Sequence, residues 1–340
     1  MTDIGQLQTP ALLVDEQMLG DNLRTMADAL PGRRLRPHVK AHKSTALARR
    51  QAELGHDAFT CATIREVEGM AAAGLGADLL LANEVLDMTR LAAVAARGAR
   101  VTVAVDSAAT VDAATRAGLR EVVVDVNVGL PRCGCAPEDA GRLADLARSK
   151  GLDVRGVMGY EGHAMVIPDL DERRKTVDEC MARLRVAHEA VGGDVVSAGG
   201  TGTYAINTWP NEIQAGSYAL MDTAYAALPD LPFAQALTVL GTVISTTAPA
   251  GGIPGWAVVD VGLKSLGMDH GNPAIPGGTV WFCSDEHTTW QPDVFDDVRL
   301  GDRVRLLPAH VDPTIALHER MHVVSGDDVI DVLPVDLRGW

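Results

Sequence analysis

Aromatic side chains make up only 4 % of the 340-residue chain, and no stretch approaches the roughly 18 consecutive apolar residues that cross a membrane. The opening residues, MTDIGQLQTP, lack the basic segment and apolar run of a secretory signal. Cysteines at 61, 133, 135, 180 and 283 form neither a CxxC pair nor a zinc-finger spacing, and so read as reduced thiols, not as a disulfide framework. Cations are in deficit: 30 Lys and Arg face 45 Asp and Glu, a formal net charge of −15 that argues against a nucleic-acid or anionic-membrane partner. No GxGxxG followed by a well-placed acidic residue and no GxxxxGK[ST] occurs in suitable context, so nucleotide binding loses its usual support. These absences predict a soluble cytoplasmic protein with no membrane or nucleic-acid partner.

What is present is a repeating pattern. Short β-branched or Leu-rich runs alternate with Ala-rich segments of helical period, as in βα units around a parallel sheet. Eight candidate strands are LRPHV (35–39), AFTCA (58–62), DLLLA (78–82), VTVAV (101–105), EVVVDVNV (121–128), VRGVMGY (154–160), DVVSAG (194–199) and IQAGSYALM (213–221). This repeat number favours a (β/α)8 TIM-type barrel over an open doubly wound sheet. After Phe233 the helical period disappears, and LTVLGTVIST, WAVVDVG, VRLLPAHV and RMHVVSG read as strands of a mostly antiparallel β-domain. The expected division is therefore a barrel over 16–233 and a β-domain over 234–340, with residues 1–15 adding a strand to the latter.

Chemically loaded residues fall at the ends of the candidate strands, and in a barrel those carboxyl ends converge on one face. Lys40 ends the first strand in RPHVKAHKS, Arg132 follows the fifth in GLPRCG, Tyr160 and His163 close the sixth in YEGH, and SAGGTGT (197–203) follows the seventh. A glycine-rich run after strand seven can turn backbone N–H groups toward a phosphate. A lysine at a strand end near such a nest points to a Schiff base with pyridoxal phosphate, its amine freed by burial and by cationic neighbours such as Arg36, His38, His42 and Lys43. On charge alone the same string also reads as a solvated basic turn leading into a helix.

The RPHVKAHK string resembles the cofactor-lysine motif of the D-threonine aldolase and D-serine dehydratase family, pyridoxal phosphate enzymes of the alanine-racemase-like fold (fold type III). The resemblance runs in the family's order through TPALLVDE, FTCATIREVEGMAAAG, DLLLANEV, DVNVGLPRCG, GYEGH, GGTGTY, NEIQAGSYALMD and VRLLPAHVDPTIALH. It implies a cofactor-bearing barrel and a β-domain, often in a homodimer. It also implies that Lys40 anchors the cofactor, with His38 and Lys43 flanking it, and that Arg132 approaches the ring oxygen or the substrate carboxylate. Tyr160 would lie near the ring, and Gly200, Thr201, Gly202, Thr203, Ser217 and Tyr218 would hold the phosphate. GLPRCG departs from the relatives that carry methionine before the arginine step, which changes the local cavity shape.

In PAHVDPT, His310 and Asp312 stand two apart, so on an extended segment both side chains point to one face and can share a divalent ion. Read without the family, an HxD in a strand is usually two surface polar groups. The resemblance implies a metal here, and an imidazole with a carboxylate suits manganese or magnesium better than zinc. In the family's dehydratase branch the pattern is His-x-Cys, so His-x-Asp tilts the expectation toward an aldolase that splits D-3-hydroxyamino acids into glycine and an aldehyde. His163 would be the base for the β-hydroxyl, directly or through water, against a plain structural role in its turn. A dehydratase giving a keto acid and ammonia is the second reading, and a non-catalytic cofactor carrier the third. The Cys133/Cys135 pair is read as packing, Asp285, Glu286 and His287 as a turn or an extension of the metal site, and His318 and His322 receive no role.

Overall fold

The computed structural model describes residues 2–340. Contacts divide the chain into two compact units, one made of Met26–Lys40, Thr45–Gly216 and Leu337–Trp340, the other of the chain up to Thr25, Ala41–Ser44 and Ser217–Asp336. The change of pattern at Phe233 lies inside the second unit. There Tyr218 and Phe233 pack at a tilt with ring centroids 5.7 Å apart, and Asn22 donates to the carbonyls of Ala219 and Ala234.

In the first unit the strands Phe59–Cys61, Leu79–Leu81, Val101–Val105, Glu121–Asp125, Asp153–Met158, Val195–Ala198 and Glu212–Ile213 pair in chain order, all parallel. They are apolar at successive positions because both faces are covered. Val103, Val105, Val122 and Val124 pack with the helices, while Leu80, Ala104, Val123, Met158 and Val195 form a separate cluster on the opposite face. Thr63 and Ser107 start their helices, Ile64–Ala72 and Ala108–Ala117, with capping boxes.

The predicted first strand closes the ring without being a full strand. Arg36 N donates to Ile213 O at 2.9 Å and His38 N to Ala215 O at 3.1 Å, while Pro37 O accepts from Thr60 N at 2.9 Å. Pro37 has no N–H to return the bond on that side, so the segment is held by isolated bridges at Leu35 and His38. The eighth predicted strand also shrinks. Only Glu212–Ile213 is extended, and Ser217–Ala219 is a 3-10 turn, so Ser217 and Tyr218 do not sit on a barrel strand.

The N-terminal ends of the barrel strands hold a buried ion network. Asp78 accepts from Arg36 at 3.1 Å and from Arg155 at 3.0 Å, and Arg36 Nε donates to Glu212 at 2.8 Å. Arg36, expected beside Lys40 as a cationic neighbour, is therefore committed to the other end of the barrel. It precedes Lys40 by four residues on an extended segment, which spans most of the strand layer.

The second unit is a mostly antiparallel sheet whose long strand Leu237–Thr247 pairs with Ala11–Asp15, Arg303–Leu306 and Trp256–Val259. Arg320–Ser325 lies parallel to Ala11–Asp15. The predicted strand VRLLPAHV is broken: Arg303–Leu306 is extended, but Val311–Ala316 is a helix with His310 as its N-cap. The extended geometry expected for His310 and Asp312 is thereby replaced by a helix start, where Asp312 suits the first turn and Pro313 loses no intrahelical bond.

Candidate active site

At the C-terminal ends of the barrel strands, Lys40 sits half-buried in the 3-10 turn Val39–Ala41, its N–H 3.5 Å from His38 Nδ1. Its Nζ lies 5.8 Å from the centroid of the Tyr160 ring, and the Arg132 guanidinium carbon lies 5.3 Å from the same centroid. A lysine from the first barrel segment, an arginine after the strand Glu121–Asp125 and a tyrosine after Asp153–Met158 thus meet around one aromatic face. Beside them is a recess lined by Asp125, Asn127, Leu130, Arg132, Cys133 and Tyr160. His42, expected as another cationic neighbour, is buried and uses Nδ1 to accept from Ser44 N at 3.2 Å.

The glycine-rich turn after Val195–Ala198 is organised by Glu161, a fully buried carboxylate that sequence reasoning passed over. It accepts from Gly199 N at 3.1 Å, Thr203 Oγ at 2.9 Å and Asn207 Nδ2 at 2.8 Å. A Cβ on Gly202 would stand 1.9 Å from Met165 O, so this glycine lets the turn press against the loop after YEGH. Among the described residues no acceptor stands on the buried Gly202 N–H, which fits a turn that offers a donor to an anion. Thr201 and Thr203 flank it, both buried.

His163 lies in the 3-10 turn Gly162–Ala164, exposed, with Nε2 3.6 Å from Sγ of the buried Cys180. Carboxyls at this end are treated unusually: burial and then neighbouring Glu84 push Asp125 well above the carboxylate range. A hydrogen bond with Glu84, and then burial, raises the Cys133 thiol to about 11, and burial raises Cys135 to about 12. Both thiols are therefore protonated at neutral pH, in keeping with packing.

In the second unit, His310 Nε2 and Asp312 Oδ2 stand 3.5 Å apart, and Ser217 Oγ donates to the same Asp312 oxygen at 3.4 Å. Two donors at that separation can both reach one ion at about 2.1 Å. His310 Nδ1 is 2.7 Å from Asp269 Oδ2, and its ring stacks on His270. Burial works against protonation of His310, but the carboxylates of Asp312 and Asp269 outweigh it and hold the imidazole at about 8. Asp285, Glu286 and His287 form the turn between Gly278–Cys283 and Thr288–Pro292, where Glu286 pairs with Lys264. His318 donates to Ser265 O at 2.9 Å. Asp269 and His270 were missed by the sequence reading; their one signal is a charged pair held between glycines in GMDHG (267–271).

Residues 14–223 match the family described as alanine racemase, N-terminal domain, and residues 236–324 match a putative serine dehydratase domain. A 3-hydroxy-D-aspartate aldolase of Paracoccus denitrificans (strain Pd 1222) is 32 % identical over 99 % of this chain and 94 % of its own length. The crystal structure of D-threonine aldolase from Filomicrobium marinum superposes with a TM-score of 0.90 at 34 % identity, covering 98 % of this chain and 97 % of that one. A D-threo-3-hydroxyaspartate dehydratase of Delftia sp. (strain HT23) is 26 % identical over 98 % of both chains.

Proposed function

From the premise that this chain belongs to the alanine-racemase-like family of D-threonine aldolases and D-serine dehydratases, we propose that it is a pyridoxal phosphate- and divalent-metal-dependent lyase. Its reaction is the cleavage of D-3-hydroxyamino acids, of the D-threonine or 3-hydroxy-D-aspartate type, to glycine and an aldehyde. The observation that carries the reading is the convergence of Lys40 and Arg132 on the Tyr160 ring at the carboxyl ends of the barrel strands. The oxygen-and-nitrogen pair His310 and Asp312, with no thiol, favours the aldolase branch.

When bound, the cofactor supplies an electron sink for whichever bond to Cα breaks, and the metal supplies a Lewis acid for the β-hydroxyl. The chain's own residues do the rest. Lys40 anchors the cofactor, with His38 beside it. Arg132 donates to the anionic oxygen of the ring or the substrate carboxylate, and Tyr160 packs against the ring. Gly200, Thr201, Gly202 and Thr203, held in shape by Glu161, present donors to the phosphate. Ser217 and Tyr218 are assigned to the same phosphate through the GSY string. His163 takes the β-hydroxyl proton, directly or through water. His310 and Asp312 hold the metal, with manganese or magnesium preferred to zinc. Dimerisation is proposed on the family resemblance and a cytoplasmic location on the sequence alone, and light scattering of the pure protein checks the first.

The second reading, dehydration, uses the same residues with Lys40 removing the Cα proton. It draws support from the serine dehydratase match over residues 236–324. Product analysis decides between them: metal-supplemented, cofactor-loaded protein is given D-threonine, 3-hydroxy-D-aspartate and D-serine beside the L-isomers and a chelated control. Glycine plus an aldehyde from the D-isomers alone supports the aldolase. A keto acid plus ammonia replaces it with the dehydratase, and no turnover by protein that holds the cofactor leaves a carrier.

A further inference from the structure

We infer that Asp269 is the positioning carboxylate of His310: it accepts the Nδ1 proton of that imidazole and so keeps Nε2 turned toward Asp312 for a divalent cation. The inference rests on the metal reading of His310 and Asp312 given above, and adds a residue outside the PAHVDPT string.

The geometry is specific about which nitrogen does what. Asp269 Oδ2 lies 2.7 Å from His310 Nδ1, while His310 Nε2 faces Asp312 Oδ2 at 3.5 Å. A neutral imidazole carries one proton, and both nitrogens of this one face carboxylates. Asp269 at 2.7 Å is within hydrogen-bond reach of Nδ1 while Asp312 at 3.5 Å is at the edge of it for Nε2, so the proton is favoured on Nδ1 and the lone pair on Nε2. Left to itself, the ring would divide its population between two tautomers and two flipped orientations, and only one combination presents a lone pair to the Asp312 side.

The loop that carries Asp269 is built onto the helix that carries His310. Gly267 N donates to Thr314 Oγ at 2.9 Å, and that hydroxyl donates in turn to His310 O at 2.7 Å. His318 Nε2 ties the same loop down by donating to Ser265 O at 2.9 Å. A Cβ on Gly267 would stand 2.3 Å from Pro313 Cγ, so only glycine lets the loop come this close. Asp269 reaches Nδ1 from a loop pinned by two hydrogen bonds, at Ser265 and Gly267, although its own side chain is 56 % exposed.

Asp269, His270 and His310 also bring one ligand atom each within 4.8 Å of one another, which invites a three-ligand metal site. The rings exclude it as they stand. His270 and His310 are stacked 4.0 Å apart at an interplanar angle of 4°. An imidazole lone pair lies in the plane of its ring, and two parallel planes this far apart cannot both contain one ion. His270 is instead a flat wall that limits rotation of the His310 ring, and Asp269 is the acceptor that sets its proton. An outer carboxylate of this kind typically contributes 10- to 100-fold to metal affinity.

The test uses full-length, cofactor-loaded protein and Mn2+ as the probe, with affinity read by competition against a fluorescent chelator. Asp269→Ala is expected to weaken Mn2+ binding about 10- to 100-fold. Asp269→Asn, whose carbonyl still accepts from Nδ1, is expected to recover most of that loss. Ring nitrogen shifts of the metal-free proteins, recorded at a pH high enough that the imidazole is neutral, should show Nδ1 of His310 protonated in the wild type and mixed tautomers in Asp269→Ala, a readout independent of turnover. Matched thermal melts show that the variants are folded. If Asp269→Ala binds Mn2+ within about twofold of wild type while His310→Ala does not bind it, the positioning role is overturned and the metal reading stands. If His310→Ala binds as wild type does, the metal reading falls and takes the inference with it.

Discussion

At the N-terminal ends of the barrel strands Arg36 and Arg155 meet Asp78, whereas at the C-terminal ends Glu84 and Asp125 meet each other. The first end matches its charges. Burial would raise the Asp78 carboxyl, but the two guanidiniums outweigh it and hold it down at about 2. The second end leaves carboxyls against carboxyls and lifts Asp125 instead. Both lie in one barrel with one apolar wall, so what differs is the partner each strand end supplies. The matched end behaves as structure, and the mismatched end, which also carries Lys40, Arg132 and Tyr160, has the marks of a site.

Substitutions at the two ends should therefore separate turnover from stability. The largest effect is expected from Lys40→Ala: loss of the cofactor's visible absorbance and a fall in turnover on the order of 10³-fold or more, since the proposed anchor of the cofactor goes with it. Melting should shift little, because Lys40 belongs to neither apolar cluster of the barrel. Retained cofactor absorbance in this variant would sink the assignment of the lysine.

Asp78→Ala is the counterpart at the other end. Asp78 is fully buried and Arg36 only 2 % exposed, so removing the carboxylate takes a buried partner from two guanidiniums and should cost about 3 kcal/mol, the rest of their bonds to Glu212 and Thr102 being kept. The protein that remains folded should keep its turnover, measured below its new melting temperature. A tenfold loss of turnover with little change in stability would erase the contrast between the ends.

The same carboxylate predicts an acid limb. A pKa depressed in the folded state contributes stability that is fully present above the unfolded value near 3.8 and is lost as pH falls through about 2. Integrated over that window it amounts to about 2 kcal/mol. Urea melts between pH 5 and 2.5 on wild type and Asp78→Asn should show the wild-type curve falling more steeply.

Asp125 carries the opposite sign. Its carboxyl is raised, so the folded protein holds that proton more tightly than the unfolded chain, and stability declines as pH climbs from the ordinary carboxylate range to the raised value. Asp125→Asn removes the dependence. It should stabilise the protein at pH 7, raising the melting temperature by roughly 1–2 °C. The gap should close in acid, where both side chains are neutral.

Much of this arrangement was legible from the chain, and the parts that were not share a cause. Runs such as VTVAV and EVVVD announce strands covered on both faces, and the alternation with helices announces the barrel. Lys40, Arg132 and Tyr160 could be gathered in advance because strand ends converge. Arg36 was misread because closeness in sequence to Lys40 says nothing of which end of a strand a side chain serves. His310 and Asp312 were placed on a strand because HxD has the strand period, and the helix start at Val311 overrode it. Glu161 and Asp269 escaped because their partners lie far along the chain, 42 residues away at Thr203 and 41 at His310. A single carboxylate has no period, and only the fold reveals what it holds.

The smallest effect is expected at Cys133, and it bears on why the mismatched end tolerates a thiol. With its pKa at about 11, chiefly through the hydrogen bond to Glu84, the thiolate fraction at pH 7 is about 10⁻⁴. Alkylation by iodoacetamide should then be slower than that of a free cysteine by on the order of 10²-fold. Cys133→Ala should leave turnover and manganese content within about twofold of wild type, since a protonated thiol neither attacks nor ligates. Asp125 also raises Cys133 through its charge, so at a pH above the titration of Asp125 the variant Asp125→Asn should speed the alkylation measurably while Asp78→Asn should not. Equal rates in both variants would mean that the carboxyls of the site end do not act on one another, and the electrostatic contrast between the two ends would reduce to burial alone.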